Sequence, residues 1–197
     1  METGTPQRII LGIDPGTTIL GYGVLLVDRK KAHYVDMGVL DLRKEKNHFT
    51  KLARIFNEVG ALIERYSPDD LAIEAPFFGK NVQSMLKLGR AQGAAIAAAL
   101  HRQIPVFEYE PRKAKMAVTG NGAASKEQVQ SVLGKTLGIE MENRFLDASD
   151  ALAIAMCHFY QLSNPVTDAT ASTSWKAFVE SHPDRIAGGT KKTTRKI

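Results

Sequence analysis

The chain has a single cysteine, a single tryptophan and no apolar run approaching the roughly 18 residues that a membrane helix requires. Cys157 cannot close an internal disulfide, and it falls in an apolar helical segment, where it reads as a small buried residue in a reducing compartment. Met1 to Arg8 is polar and leads straight into a strand-like segment, without the charged and apolar regions of a secretory signal. A cytoplasmic protein with no membrane partner is therefore expected. The five histidines are scattered and offer no Cys/His spacing for zinc. No internal repeat appears.

Charge of one sign is not extreme either. Twenty-six Lys and Arg against 21 Asp and Glu leave +5, which alone points only weakly to an anionic partner. The distribution says more. Between Lys80 and Lys126 stand Lys80, Lys87, Arg90, Arg102, Arg112, Lys113, Lys115 and Lys126, opposed only by Glu108 and Glu110. A basic surface beside an acidic pocket suits a phosphodiester substrate with metal ions.

The length of 197 residues fits one domain with some excess. Arg8–Ile13 is a nearly continuous apolar run and predicts a buried strand, broken by the turn Asp14-Pro15-Gly16-Thr17-Thr18. Leu20–Val27 and Ala32–Leu42 follow across the charged turn at 28–31, so the three strands form an antiparallel meander. Phe49–Tyr66 carries a helical stripe of Leu52, Ile55, Phe56, Val59, Leu62 and Ile63. Ser67-Pro68-Asp69-Asp70 reads as a link into a short strand, Leu71–Ile73, that ends at Glu74. A long helix at 81–102, a strand at 104–109 and a short helix at 112–118 come next. Ser125-Lys126-Glu127-Gln128 has the form of a capping box opening a further helix, and Leu146–Leu162 is the last strong one. The order is βββαβαβααα, a mixed sheet with helices on its faces. Residues 163–197 carry six basic and three acidic residues among Ser, Thr and Ala. They read as a flexible basic tail, with a short helix around Trp175–Glu180.

Two acids sit where apolar strands end: Asp14 after Ile9–Ile13, and Glu74 after Leu71–Ile73. Strand ends are where side chains leave the core and converge on a pocket. A turn residue before Pro-Gly and a solvent-facing strand end are the plainer readings of the same two positions. Asp147 and Asp150 are spaced i, i+3 at a helix start, on one face and close enough to share a cation. Acidic residues in a first turn also favour the helix dipole, and Asp147 in particular fits that role. Four carboxylates in one pocket would repel one another without metal and hold one or two hard cations well, which points to a metal-dependent nuclease acting on DNA.

The assembled segments resemble the RuvC family of Holliday-junction resolvases. The resemblance is carried by Ile10-Leu11-Gly12-Ile13-Asp14-Pro15-Gly16 with Gly21-Tyr22-Gly23-Val24, then Ala72-Ile73-Glu74. It continues through residues 86–93 (Leu-Lys-Leu-Gly-Arg-Ala-Gln-Gly), Pro105–Tyr109 and Asp147–Ala155. It spans roughly residues 8–162, and it implies a ribonuclease-H-like α/β fold with a five-stranded mixed sheet flanked by helices. It implies a homodimer making paired symmetric nicks in four-way DNA junctions, during recombination and repair, with Mg²⁺ or Mn²⁺ as cofactor. The catalytic and metal-binding carboxylates it implies are Asp14, Glu74, Asp147 and Asp150. Phe77 matches an aromatic that stacks on a base at the opened junction, although ordinary packing would also account for it. Lys115 and Lys126 match lysines near the scissile phosphate, and Arg112 and Lys113 are candidates for backbone contact, each also readable as a solvated surface charge. A branch-migration complex of the RuvA and RuvB type is the further partner that the family implies.

The helix at 81–102 is rich in Ala and Gly, which permits close packing on the sheet or on a two-fold mate. Asp14-Pro15-Gly16-Thr17-Thr18 also resembles the first phosphate loop of sugar-kinase and actin-type ATPases. Those proteins need further Asp-Gly and Gly-Gly motifs in a second half-domain, which this chain lacks. A ribonuclease-H-like nuclease acting on RNA–DNA hybrids or other branched DNA shares the same carboxylates.

Overall fold

The apolar run near the start of the chain becomes β1 (Arg8–Asp14), the middle strand of a five-stranded sheet ordered β3-β2-β1-β4-β5. In this computed structural model residues 7–76, 81–141 and 146–163 are described. β2 (Ile19–Asp28) and β3 (Lys31–Asp41) complete the antiparallel meander. β4 (Asp70–Glu74) and β5 (Val106–Tyr109) extend the sheet in parallel on the other side of β1. The element order matches the one read from the sequence, and the mixed sheet has the ribonuclease-H-like arrangement.

Among the described residues five helices cover the sheet: α1 (His48–Tyr66), α2 (Val82–His101), α3 (Pro111–Thr119), α4 (Lys126–Leu137) and α5 (Leu146–Ser163). α1 begins at Asn47, whose side chain accepts from the Thr50 amide. α4 begins with the expected capping box between Ser125 and Gln128. Among the described residues no helix is long and apolar enough to cross a membrane.

Alternation along β1 divides its side chains between two cores. Leu11 and Ile13 join Ile55, Val59 and Ile63 of α1 and Ala91, Ala95, Ala98 and Ala99 of α2. Ile10 joins the opposite core, built from α3, α4 and α5. Covering on both faces explains why β1 reads as a continuous apolar run. The small residues of α2 thus seat it on the sheet side, while Gly93 and Ala97 face solvent.

α5 runs across the α3/α4 face, with eleven residues from Ala148 to Phe159 buried. It lies in a track of glycines. A Cβ on Gly12 would fall 2.2 Å from the Ala151 carbonyl oxygen, one on Gly21 2.1 Å from that of Asp147, and one on Gly23 2.7 Å from Leu152 Cα. Gly12 pairs with Gly23, and Gly21 with Asp14. Where side chains are missing from one sheet face, a helix backbone descends onto it.

One sequence expectation changes at β4. Asp70, read as part of a link, is the first residue of the strand and fully buried. Both its oxygens bind the Arg8 guanidinium, with Arg8 Nη2 to Oδ1 at 2.7 Å. His158 Nε2 of α5 lies 3.2 Å from Oδ2, off the line of a good hydrogen bond. The Tyr109 hydroxyl meets His158 Nδ1 at 2.7 Å. An Asp can start a buried strand because a cation from the neighbouring strand is there to meet it. The tail and the helix expected near Trp175 lie outside the described residues.

Candidate metal centre and nucleic-acid cleft

Two strands and one helix bring the acids together. Asp14 ends β1 and Glu74 ends β4, one residue beyond the parallel pair Ile13–Ile73, so the two carboxylates emerge side by side. The glycine track seats the first turns of α5 against the same strand ends. As a result Asp14, Asp147 and Asp150 each place a carboxylate oxygen within 4.8 Å of the other two. Glu74 stands just outside this group of three, close enough that its charge acts on Asp14. Asp147, which the sequence leaves open to a capping role, has its carboxylate in the cluster.

The electrostatics are those of a site short of positive charge. Burial first, then the charges of Glu74 and Asp150, push the Asp14 carboxyl up to about 8. Burial and Asp150 push Glu74 up to about 7, with Lys126 and Lys115 pulling the other way. Lys126 Nζ lies 2.5 Å from Asp150 Oδ2 and 3.2 Å from Asp147 Oδ1. These bonds and charges outweigh burial and raise the ammonium above its ordinary value.

The donor set fits a divalent cation. Octahedral coordination at about 2.1 Å places ligand oxygens roughly 3 to 4.2 Å apart, which three carboxylates within 4.8 Å can meet with small side-chain adjustments. All the donors are oxygens, which favours a hard cation over zinc. Glu74 would add a further carboxylate beside these three, and metal ions held there would supply the Lewis acidity used in phosphodiester cleavage.

Glu74 is held from behind by a residue to which the sequence reading gave no role. Gln92 of α2 is almost fully buried, and its Nε2 donates to the Glu74 carbonyl at 3.0 Å and to Glu108 Oε1 at 2.7 Å. It ties the ends of β4 and β5 together. A glutamine within an alanine-rich buried stripe was the available signal.

A cleft of about 610 Å³ opens beside Glu74. It is lined by Ala75 and Pro76 after β4, Pro111, Arg112 and Lys115 of α3, and Glu110 and Gly122. Arg112 and Lys115 thus place two basic side chains in a cleft next to the end of β4. Lys113 turns away, its Nζ 5.4 Å above the Tyr109 ring. Of the four basic candidates, Arg112 and Lys115 line the cleft, while Lys113 and Lys126 do not. Phe77 lies outside the described residues.

The family model for crossover junction endodeoxyribonuclease RuvC matches residues 10–158. The chain is 57% identical over 182 residues to the crossover junction endodeoxyribonuclease RuvC of Bacteroides fragilis, covering 91% of this chain and 96% of that protein. It is 52% identical over 184 residues to that of Porphyromonas gingivalis, covering 91% and 97%. Thermus thermophilus RuvC in complex with a Holliday junction substrate superposes with a TM-score of 0.71 at 35% identity, covering 78% of this chain and 94% of that one. The yeast mitochondrial Holliday junction resolvase, at 15% identity and a TM-score of 0.60, shares the fold.

Proposed function

This chain belongs to the RuvC family of crossover junction endodeoxyribonucleases, and from that premise we propose that it resolves four-way DNA junctions by paired, metal-dependent nicks. The observation that carries the reading is the convergence of Asp14, Asp147 and Asp150 within 4.8 Å, with Glu74 alongside. Asp14, Glu74, Asp147 and Asp150 hold the cations, and Mg²⁺ is the expected ion, with Mn²⁺ able to replace it. Divalent cations there supply the Lewis acidity that activates water and stabilises charge on the phosphate.

The protein's own groups do the rest. Arg112 and Lys115 line the cleft next to Glu74 and fix the strand to be cut. Gln92 keeps the end of β4 in place, so the Glu74 carboxylate keeps its distance from Asp14. Phe77, three residues beyond Glu74, supplies the base-stacking contact.

Two symmetric cuts call for two copies of this site, and α2 offers a face for the pairing. Leu86, Gly93, Ala97 and Leu100 lie on one side of that helix and are exposed. Nothing lies within 4 Å of a Cβ placed on Gly93, so a second helix can approach closely there. A branch-migration complex of the RuvA and RuvB type is the natural supplier of the junction. In this reading residues 1–162 make up the nuclease domain and residues 163–197 the basic tail.

Incubating the protein and Mg²⁺ with a mobile four-way junction, a linear duplex and an RNA–DNA hybrid tests the reading. Cleavage confined to the junction, at symmetric positions on two strands, is expected. Equal cutting of all three substrates would overturn junction selectivity, and cutting of the hybrid alone would favour the RNA–DNA alternative.

A further inference from the structure

The ammonium of Lys126 sits in the acidic cluster itself. Its Nζ makes 2.5 Å and 3.2 Å contacts to Asp150 and Asp147, two of the three carboxylates that converge with Asp14. The position is unfavourable for its own helix. Lys126 is the first residue of α4, directly after the N-cap Ser125, and a cation there opposes the positive end of the helix dipole. The capping box nevertheless fixes this backbone, with Gln128 N donating to Ser125 Oγ and Ser125 N donating to Gln128 Oε1. α4 also packs on α5. The lysine is thus aimed from a rigid helix start at carboxylates on a neighbouring rigid helix.

A divalent cation and an ammonium cannot both contact the same carboxylate oxygens at these distances without strong repulsion. We propose that Lys126 is a tethered counter-ion of the metal site: it neutralises Asp147 and Asp150 until a divalent cation arrives, and it must leave them for that cation to bind. The proposal rests on the reading of this cluster as metal-binding. It gives Lys126 two successive partners. With the carboxylates, it relieves repulsion at the α5 start. Once displaced, it presents a mobile positive charge at the rim of the cluster, where an anionic phosphate drawn to the same cation has to lie. Metal and DNA then strengthen each other's binding, because each favours the arrangement with Lys126 turned away from the acids.

The test is Mn²⁺ binding to the full chain without DNA, followed by the EPR signal of free Mn²⁺, in wild type, Lys126→Met, Lys126→Arg and Asp150→Asn. Removing a competing cation about 3 Å from the ligand oxygens should tighten Mn²⁺ binding by about tenfold in Lys126→Met. Lys126→Arg keeps a competing charge and should stay near wild type. Asp150→Asn should weaken binding. In EDTA, Lys126→Met should melt below wild type, and saturating Mn²⁺ should close the gap. Where Lys126→Met impairs folding, Lys126→Gln serves with the same expected tightening. If the uncharged variants bind Mn²⁺ no more tightly while Asp150→Asn loses it, the counter-ion role fails and the metal site stands. Equal tightening in Lys126→Arg would also overturn the role, since the charge would not be the cause. If wild-type binding is indifferent to Asp150→Asn, the metal site fails and the counter-ion with it.

Discussion

A Cβ on Gly21 would lie 2.1 Å from the carbonyl oxygen of Asp147. That contact joins the strand beside Asp14 to the first turn of α5, and it sets how close Asp147 and Asp150 come to the end of β1. Gly21→Ala should push the helix start away, because a backbone carbonyl cannot step aside as a side-chain tip can. A destabilisation of about 1–3 kcal/mol is expected from overpacking. Junction cleavage should fall much further than junction binding. A urea unfolding curve beside cleavage and gel-shift assays checks this, and retained full cleavage would show that the glycine track does not position the acids.

Asp14→Asn removes a metal-binding charge with little change of shape. Cleavage of a four-way junction should drop to background while junction affinity stays close to wild type, because the cleft lined by Arg112 and Lys115 is untouched. Mn²⁺ binding should weaken in the same variant. Normal cutting by Asp14→Asn would remove Asp14 from the site.

At the far end of α5, Asp70 is completely buried between Arg8 and His158. Arg8→Met leaves that carboxylate without its guanidinium, so a loss of about 3 kcal/mol is expected at neutral pH. Burial lowers the His158 imidazole below its ordinary 6.5, more than Asp70 raises it. The folded protein therefore binds fewer protons than the unfolded chain in the window below pH 6.5. This contribution to stability is present above pH 6.5 and is lost as pH falls through the lower folded value. The difference in unfolding free energy between pH 7.5 and 5.5 should be larger for wild type than for His158→Phe. Equal differences would show that His158 does not titrate on unfolding.

If α2 pairs two copies, a bulky charge on its exposed face should separate them without harming the fold. Ala97→Glu should convert a dimer to a monomer in sedimentation velocity while leaving the melting temperature of the separated subunit little changed, because Ala97 faces solvent. Paired nicking should fall to uncoordinated single nicks. A dimer that survives Ala97→Glu and Leu86→Glu would place the interface elsewhere.

Local pattern determined a large share of this protein. The apolar run of β1, the stripe of α1 and the capping box at Ser125 are short-range effects, and each appears where the sequence indicated. The four acids were visible for the same reason, as charged residues at the ends of apolar elements. Long-range pairing decided the rest. Asp70 reads locally as one more turn acid, and only Arg8, 62 residues away, and His158 make it a buried strand start. Lys126 stands in a basic block and matches a lysine expected near the phosphate, but only the packing of α4 on α5 turns its ammonium onto Asp147 and Asp150. Strand alternation put Gly12 and Asp14 on one face, but nothing in the alternation says that α5 descends there. That depends on a helix formed more than 130 residues later packing on the stretch of this face where glycines leave room for its backbone.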